Sequence, residues 1–231
     1  LNTHMANHLD LEEQEQLDQL KHFWKQYGNL ITWALIVVLG SVAAWNGYNM
    51  WQRNQSVQAA AMYDEVEKVV RGGDLQKAER AFADMRDRFS KAVYTQQAGL
   101  LVAKMAYEAG KMDSAKSTLS WLSDNAADKG YASVARLRLS AVLIEGKAYD
   151  EALKLLESGI AEEFAALADD RKGDIFTLQG KKAEAKAEYQ KAYKAFDEQS
   201  EYRRLVSVKL NALGFDPEAD AKIAANNEVA K

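Results

Sequence analysis

The sequence predicts an all-α protein: a single N-terminal transmembrane helix followed by a solenoid of helical hairpins. Three observations carry this prediction. Residues 26–52 contain no Asp, Glu, Lys or Arg. Beyond them glycine returns at a near-constant interval, each time followed by an alanine and then a large apolar residue. Proline occurs once, at Pro217, and alternating β-branched runs are absent outside the uncharged stretch, which leaves strands no obvious place.

Composition bounds the function. The 231 residues are 48% hydrophobic and 28% charged, ordinary proportions for a chain that buries a core. The formal charge is -4, of which residues 1–53 contribute -2: Lys21, Lys25 and Arg53 against Asp10, Glu12, Glu13, Glu15 and Asp18. With no excess of Lys and Arg there is no electrostatic footprint for nucleic acid or anionic lipid. The absence of cysteine excludes disulfides, thiolate zinc sites and thiol catalysis.

The uncharged run reads as a membrane anchor. Leu30 to Trp45, with the flanking Tyr27, Gly47, Tyr48, Met50 and Trp51, reaches the roughly 20 residues that a bilayer core requires. Trp24, Tyr27 and Trp33 sit at one end and Trp45, Tyr48 and Trp51 at the other, where amphipathic rings favour the two interfaces. Ser41-Val42-Ala43 offers small residues of the kind a signal peptidase cleaves after, but the preceding region is long and acidic, unlike a signal peptide. Two lysines before the span against Arg53 just after it bias the N-terminus toward the cytoplasm. The opening Leu-Asn-Thr-His reads as a cloning remnant and Met5 as the native start. Between Met5 and the span, Leu9, Leu17, Leu20 and Trp24 lie among acids and glutamines, with Asp10 and Glu13 at capping spacing. That segment reads as a solvated amphipathic helix or as a short docking helix. The expected boundaries are a tail over 1–25, the span over 26–52, repeats over 54–216 and a C-terminal tail over 217–231.

Four segments define the repeat: GDLQKAERAF from Gly73, GKMDSAKSTL from Gly110, GKAYDEALKLL from Gly146 and GKKAEAKAEY from Gly180. The glycines stand 37, 36 and 34 residues apart, followed by Ala78, Ala115, Ala152 and Ala185, then by Phe82, Leu119, Leu156 and Tyr189. Glycine can take the positive φ that ends a helix, and alanine lets the next helix pack closely. Ahead of Gly110, Ala98, Leu101, Val102, Met105 and Ala106 form an apolar stripe at helical spacing. One hairpin cannot bury two such stripes, so the hairpins must stack. A last stripe, Tyr202, Leu205, Val206, Lys209, Leu210 and Leu213, ends at Gly214 and is expected to cap the stack. The run EADAKIAANNEVAK beyond Pro217 is expected to be a weak helix or loose tail.

The glycine, alanine and aromatic or leucine pattern at this period resembles the tetratricopeptide repeat, in degenerate form. Gly173 and Ala103 supply the small residue seven positions before Gly180 and Gly110, while Val66 and Leu139 hold that place in the other two units. Gly146 has one extra residue before its alanine, and the closing proline is missing throughout. The whole layout, above all EEQEQLDQLKHFWKQYGN leading into the span, resembles the YfgM family of ancillary subunits of the bacterial SecYEG translocon. The resemblance covers Met5 to Lys231. It implies a bacterial inner-membrane protein with a cytoplasmic N-terminus and a periplasmic repeat domain. It also implies the SecYEG translocon and the membrane-anchored chaperone PpiD as partners, in protein translocation and chaperone handover.

Catalysis is not expected. His4, His8 and His22 all precede the span, so the repeats hold no imidazole for a triad or a histidine metal site. Gly72-Gly73 lacks the sequence context of a phosphate loop. Carboxylate pairs such as Asp169-Asp170 and Glu162-Glu163 leave a carboxylate-dependent hydrolase as one alternative, and a scaffold facing the cytoplasm is another. No cofactor, metal or nucleic acid is expected, and lipid contact is confined to residues 30–51. Function then rests on a protein-binding groove lined by the first helix of each hairpin. Counting back from each glycine places Tyr63, Glu67, Lys104, Tyr107, Arg136, Ser140, Asp170, Asp174 and Thr177 on it.

Overall fold

The computed structural model describes residues 11–217, with side chains from residue 15 onward. Asp10, the Glu13 side chain and the tail beyond Pro217 lie outside what is described. Helix α1, Leu11–Arg71, begins in one compact unit, residues 1–54, and ends in a second, residues 55–231.

In the first unit α1 is long and apolar enough to cross a membrane, and almost none of its apolar window is covered by protein. Its threonine and serine within the uncharged stretch turn their hydroxyls inward: Thr32 Oγ1 donates to Gly28 O at 2.8 Å and Ser41 Oγ to Val37 O at 2.7 Å. Both therefore find their acceptors inside the helix, as a bilayer would demand. Phe23 with Tyr27, and Tyr48 with Trp51, pair their rings at the two ends, 5.0 and 6.1 Å apart.

The second unit is helical among the described residues. The end of α1 is followed by α2 (Leu75–Phe89), α3 (Val93–Glu108), α4 (Met112–Asn125), α5 (Lys129–Glu145) and α6 (Tyr149–Glu157). After a 3-10 turn at Glu162–Phe164 come α7 (Ala165–Leu178), α8 (Lys182–Ala195) and α9 (Glu201–Ala212). α3 packs on α4, α5 on α6 and α7 on α8, while α3, α5 and α7 also meet in sequence.

One turn recurs at the end of α1, α3, α5, α7 and α9. A residue in the left-handed region closes the helix, and the next N–H reaches back five residues: Asp74 N to Val69 O, Lys111 N to Ala106 O, Ala148 N to Leu143 O, Lys181 N to Phe176 O and Phe215 N to Leu210 O. This is the Schellman arrangement, which satisfies carbonyls that a helix end would otherwise orphan. Gly73, Gly110, Gly180 and Gly214 hold the left-handed place, as expected. In the third unit the expectation fails by one residue. Gly146 has a φ of -73°, and Lys147 takes the left-handed place at 58°. Measured from Lys147, the alanine stands five residues on in all four complete hairpins, and the extra residue disappears.

Behind the turns lies the core. Ala78, Ala115, Ala152 and Ala185 are fully buried, and Phe82, Leu119, Leu156 and Tyr189, one turn further on, nearly so. Seven residues before the turn stand Val66, Ala103, Ser140 and Gly173, all buried. The corrected register therefore replaces Leu139 by Ser140 as the small residue of the third unit. Contact is closest at Gly173, where an added Cβ would lie 2.4 Å from the Tyr189 ring. Two predictions follow from this geometry. Lys147→Gly should raise the melting midpoint by about 1–4 °C: relief of left-handed strain, roughly 1–2 kcal/mol, exceeds the added freedom of the unfolded chain. Gly173→Ala should lose about 1–3 kcal/mol, because the ring cannot retreat without strain. Circular dichroism melts of the full chain in detergent would check both.

Candidate functional site

The recurring turn supplies a ruler for the face of the first helices. Ten residues before it stand Tyr63, Leu100, Leu137, Asp170 and Arg204. Six before it stand Glu67, Lys104, Ala141, Asp174 and Val208, and three before it Val70, Tyr107, Ile144, Thr177 and Asn211. Helical periodicity puts these offsets on one face.

Four of the expected groove residues sit there with polar groups accessible. Tyr63 on α1 is half-buried with its ring 5.9 Å from that of Tyr94, and burial, followed by the nearby Glu67 charge, pushes its phenol up. Glu67 pairs with Arg71 at 2.9 Å and Lys104 with Glu108 at 3.7 Å, both on the surface. The Tyr107 hydroxyl donates to the Glu145 carboxylate, joining α3 to α5. Gln97 Nε2 donates to the Tyr131 hydroxyl at 2.8 Å and Arg138 Nη1 to Leu100 O at 3.3 Å across the same pair of helices.

Arg136 and Ser140 belong elsewhere. The one-residue slip at Gly146 rotates both off the groove. Ser140 is fully buried and donates to Leu137 O at 2.8 Å. Arg136 braces two helix ends, donating from Nη2 to Ser123 O at 3.3 Å and from Nη1 to Ser158 O at 3.4 Å. Leu137 and Ala141 take their places, with Ile144 next along the same face. The excess residue between Gly146 and Ala152, compared with the other units, was the signal for this shift.

The fourth unit is occupied from within. Lys209 of α9 places its Nζ 2.7 Å from Asp170 Oδ1, 2.8 Å from Asp170 Oδ2 and 2.7 Å from Asp174 Oδ1. The Tyr189 hydroxyl donates to Asp174 Oδ1 at 2.8 Å and lies 3.2 Å from Thr177 Oγ1, which itself donates to Gly173 O at 2.9 Å. Burial holds the Asp170 carboxyl above the usual range even against the Lys209 charge, and burial likewise pushes the Tyr189 phenol up. Asp170, Asp174 and Thr177 thus fasten the cap. Of the stripe expected on α9, Val206 and Leu210 are buried and Leu213 partly so, whereas Tyr202 and Leu205 remain largely exposed.

Between α3, α4 and α5 a cavity of ≈ 240 Å³ opens on the surface, lined by Ala103, Lys104, Tyr107, Leu119, Arg138, Ala141 and Val142. The described residues hold no group of three or more His, Cys, Asp or Glu arranged for a metal ion.

Comparison with known proteins places this architecture. A family described as "Tetratricopeptide repeat-like domain" matches residues 21–215. A Neisseria gonorrhoeae protein named "Ancillary SecYEG translocon subunit" is 30% identical over 213 residues, 90% of this chain and 100% of the relative. The chain belongs to the ancillary SecYEG translocon subunit family. A Haemophilus influenzae member is 30% identical over 203 residues, 88% of this chain and 98% of its own, and an Escherichia coli K12 member 24% identical over 204 residues, 87% and 96% respectively. No solved structure matches the chain significantly.

The Lys209 cluster yields a prediction for pH dependence. The folded Asp170 carboxyl titrates above its unfolded value, so its contribution to stability is fully present below the unfolded value and is lost as pH rises through the folded one. Asp170→Asn should therefore change stability at pH 7 by less than about 1 kcal/mol. Lys209→Met leaves two carboxylates facing each other without a cation and should cost about 2–4 kcal/mol at pH 7, a loss that shrinks toward pH 4 as Asp170 protonates. Melts of the three proteins at the two pH values check the order.

Proposed function

We propose that the protein is a single-pass inner-membrane protein, with its N-terminus in the cytoplasm and its repeats in the periplasm. There it binds polypeptides and catalyses nothing. Its role is to assist proteins leaving the SecYEG translocon and their handover to the membrane-anchored chaperone PpiD. The observation that carries this reading is the near end-to-end match to proteins named as ancillary SecYEG translocon subunits. Three physical features support it. One helix has the length and apolar character of an anchor. Two lysines before the span against one arginine just after it favour the proposed orientation. The first-helix face offers aromatic, apolar and charged groups of both signs, which suits a protein partner better than a uniformly charged one.

A photo-crosslinking residue in place of Lys104, carried by the full chain in living cells, tests it. Adducts with translocon subunits or the anchored chaperone, together with periplasmic activity of a reporter fused after Lys231, are expected. Adducts with cytoplasmic proteins alone and reporter activity in the cytoplasm overturn it.

A further inference from the structure

The cavity between α3, α4 and α5 has a specific origin. At the offset six residues before the turn the other complete hairpins carry Glu67, Lys104 and Asp174, whereas the third carries Ala141, and the space opens against that methyl group. Ala103, Leu119 and Val142, all buried, form its floor. The Tyr107 ring and the Lys104 stem form a wall. An apolar cavity of about 150 Å³ holds one benzene, so ≈ 240 Å³ accommodates one phenyl group with its methylene.

The rim adds a sign. Lys104 is paired with Glu108, and Glu145 accepts from Tyr107. Arg138 pairs with no carboxylate within 4 Å among the described residues, and its one hydrogen bond there goes to Leu100 O. An exposed guanidinium keeps the planar donor fork that a carboxylate fits. Deepening the role proposed above, and resting on it, we propose that this cavity is an anchor pocket for a polypeptide partner. It takes one phenylalanine side chain, and Arg138 takes the side-chain carboxylate of an acidic residue beside it within the partner's chain.

The full chain in nanodiscs, titrated into fluorescein-labelled hexapeptides and read by anisotropy, tests this. The probes are Gly-Ser-Phe-Asp-Gly-Ser amide, its Phe-Lys and Ala-Asp analogues, and Gly-Ala-Gly-Ser-Gly-Phe with a free C-terminal carboxylate. The Phe-Asp peptide should bind about tenfold tighter than each of the other three. Ala141→Leu, which fills the cavity from an accessible position, should remove that preference for phenylalanine, while Arg138→Glu should reverse the preference between Asp and Lys. Equal binding of all four peptides, or unchanged binding by a fully helical Ala141→Leu protein, overturns the pocket. Tighter binding of the free-carboxylate peptide overturns the assignment to an internal acid. Crosslinks from residue 104 to the translocon that persist while the peptides show no selectivity remove the pocket alone. Peptide selectivity without such crosslinks removes the translocon role alone.

Discussion

Five residues separate a left-handed backbone from a fully buried alanine in each hairpin, and the repeat unit depends on that distance. The left-handed residue lets the following N–H cap the preceding helix and turns the chain back upon it. Five residues on, the second helix has completed its first turn, and its alanine faces the helix just left. A larger side chain there would hold the two backbones apart. Four residues later the same face carries Phe82, Leu119, Leu156 or Tyr189, all nearly fully buried. At Gly173 and Tyr189 the fit leaves no room even for a methyl group.

This constraint explains what the sequence disclosed and where it misled. The uncharged stretch and the repeat were legible because both are periodic or contiguous, and the fold class follows from them. The third hairpin was misread because glycine is only the usual occupant of the left-handed place. Lys147 holds it instead, at a φ of 58°, while Gly146 remains right-handed. A one-residue error turns a helix by roughly 100°, enough to exchange a groove position for a core position. Ser140 and Arg136 were assigned to the groove for that reason, and Ala141 was passed over. The alanine at 152 was the better ruler, since burial against another helix tolerates fewer substitutes than a turn does.

The end of the stack involves a contact of another kind. Asp170 and Asp174 are four residues apart on α7, so their carboxylates lie one turn apart on the same face, and only a cation from a different helix can serve both. Lys209 reaches them while its stem crosses the Tyr189 ring, with Nζ 5.3 Å from the centroid. Desolvation consumes much of what such a cluster contributes, and the raised titration of Asp170 records that cost. Its stronger effect is on register: a shift of α9 by one residue would bury the acids unpaired. No pattern of single residues along the chain reveals this, because 39 positions separate Asp170 from Lys209.

The positions that the hairpin does not constrain are those that differ between units. Six residues before the turn the described hairpins carry an acid, a lysine, an alanine, a second acid and a valine, although the neighbouring residue one place earlier is buried in each complete hairpin. Stacking of the hairpins requires only the buried set, so the outward set is free to change wherever, unlike Asp174, it does not hold the cap. In the first unit it presents Tyr63 and Glu67 to solvent, in the third it recedes to leave a cavity, and in the fourth it is neutralised by the cap. The face therefore changes in chemistry along its length while the backbone repeats. A polypeptide lying across it, as proposed above, would meet a different environment at each hairpin, and such variation specifies direction and register more sharply than a uniform groove could.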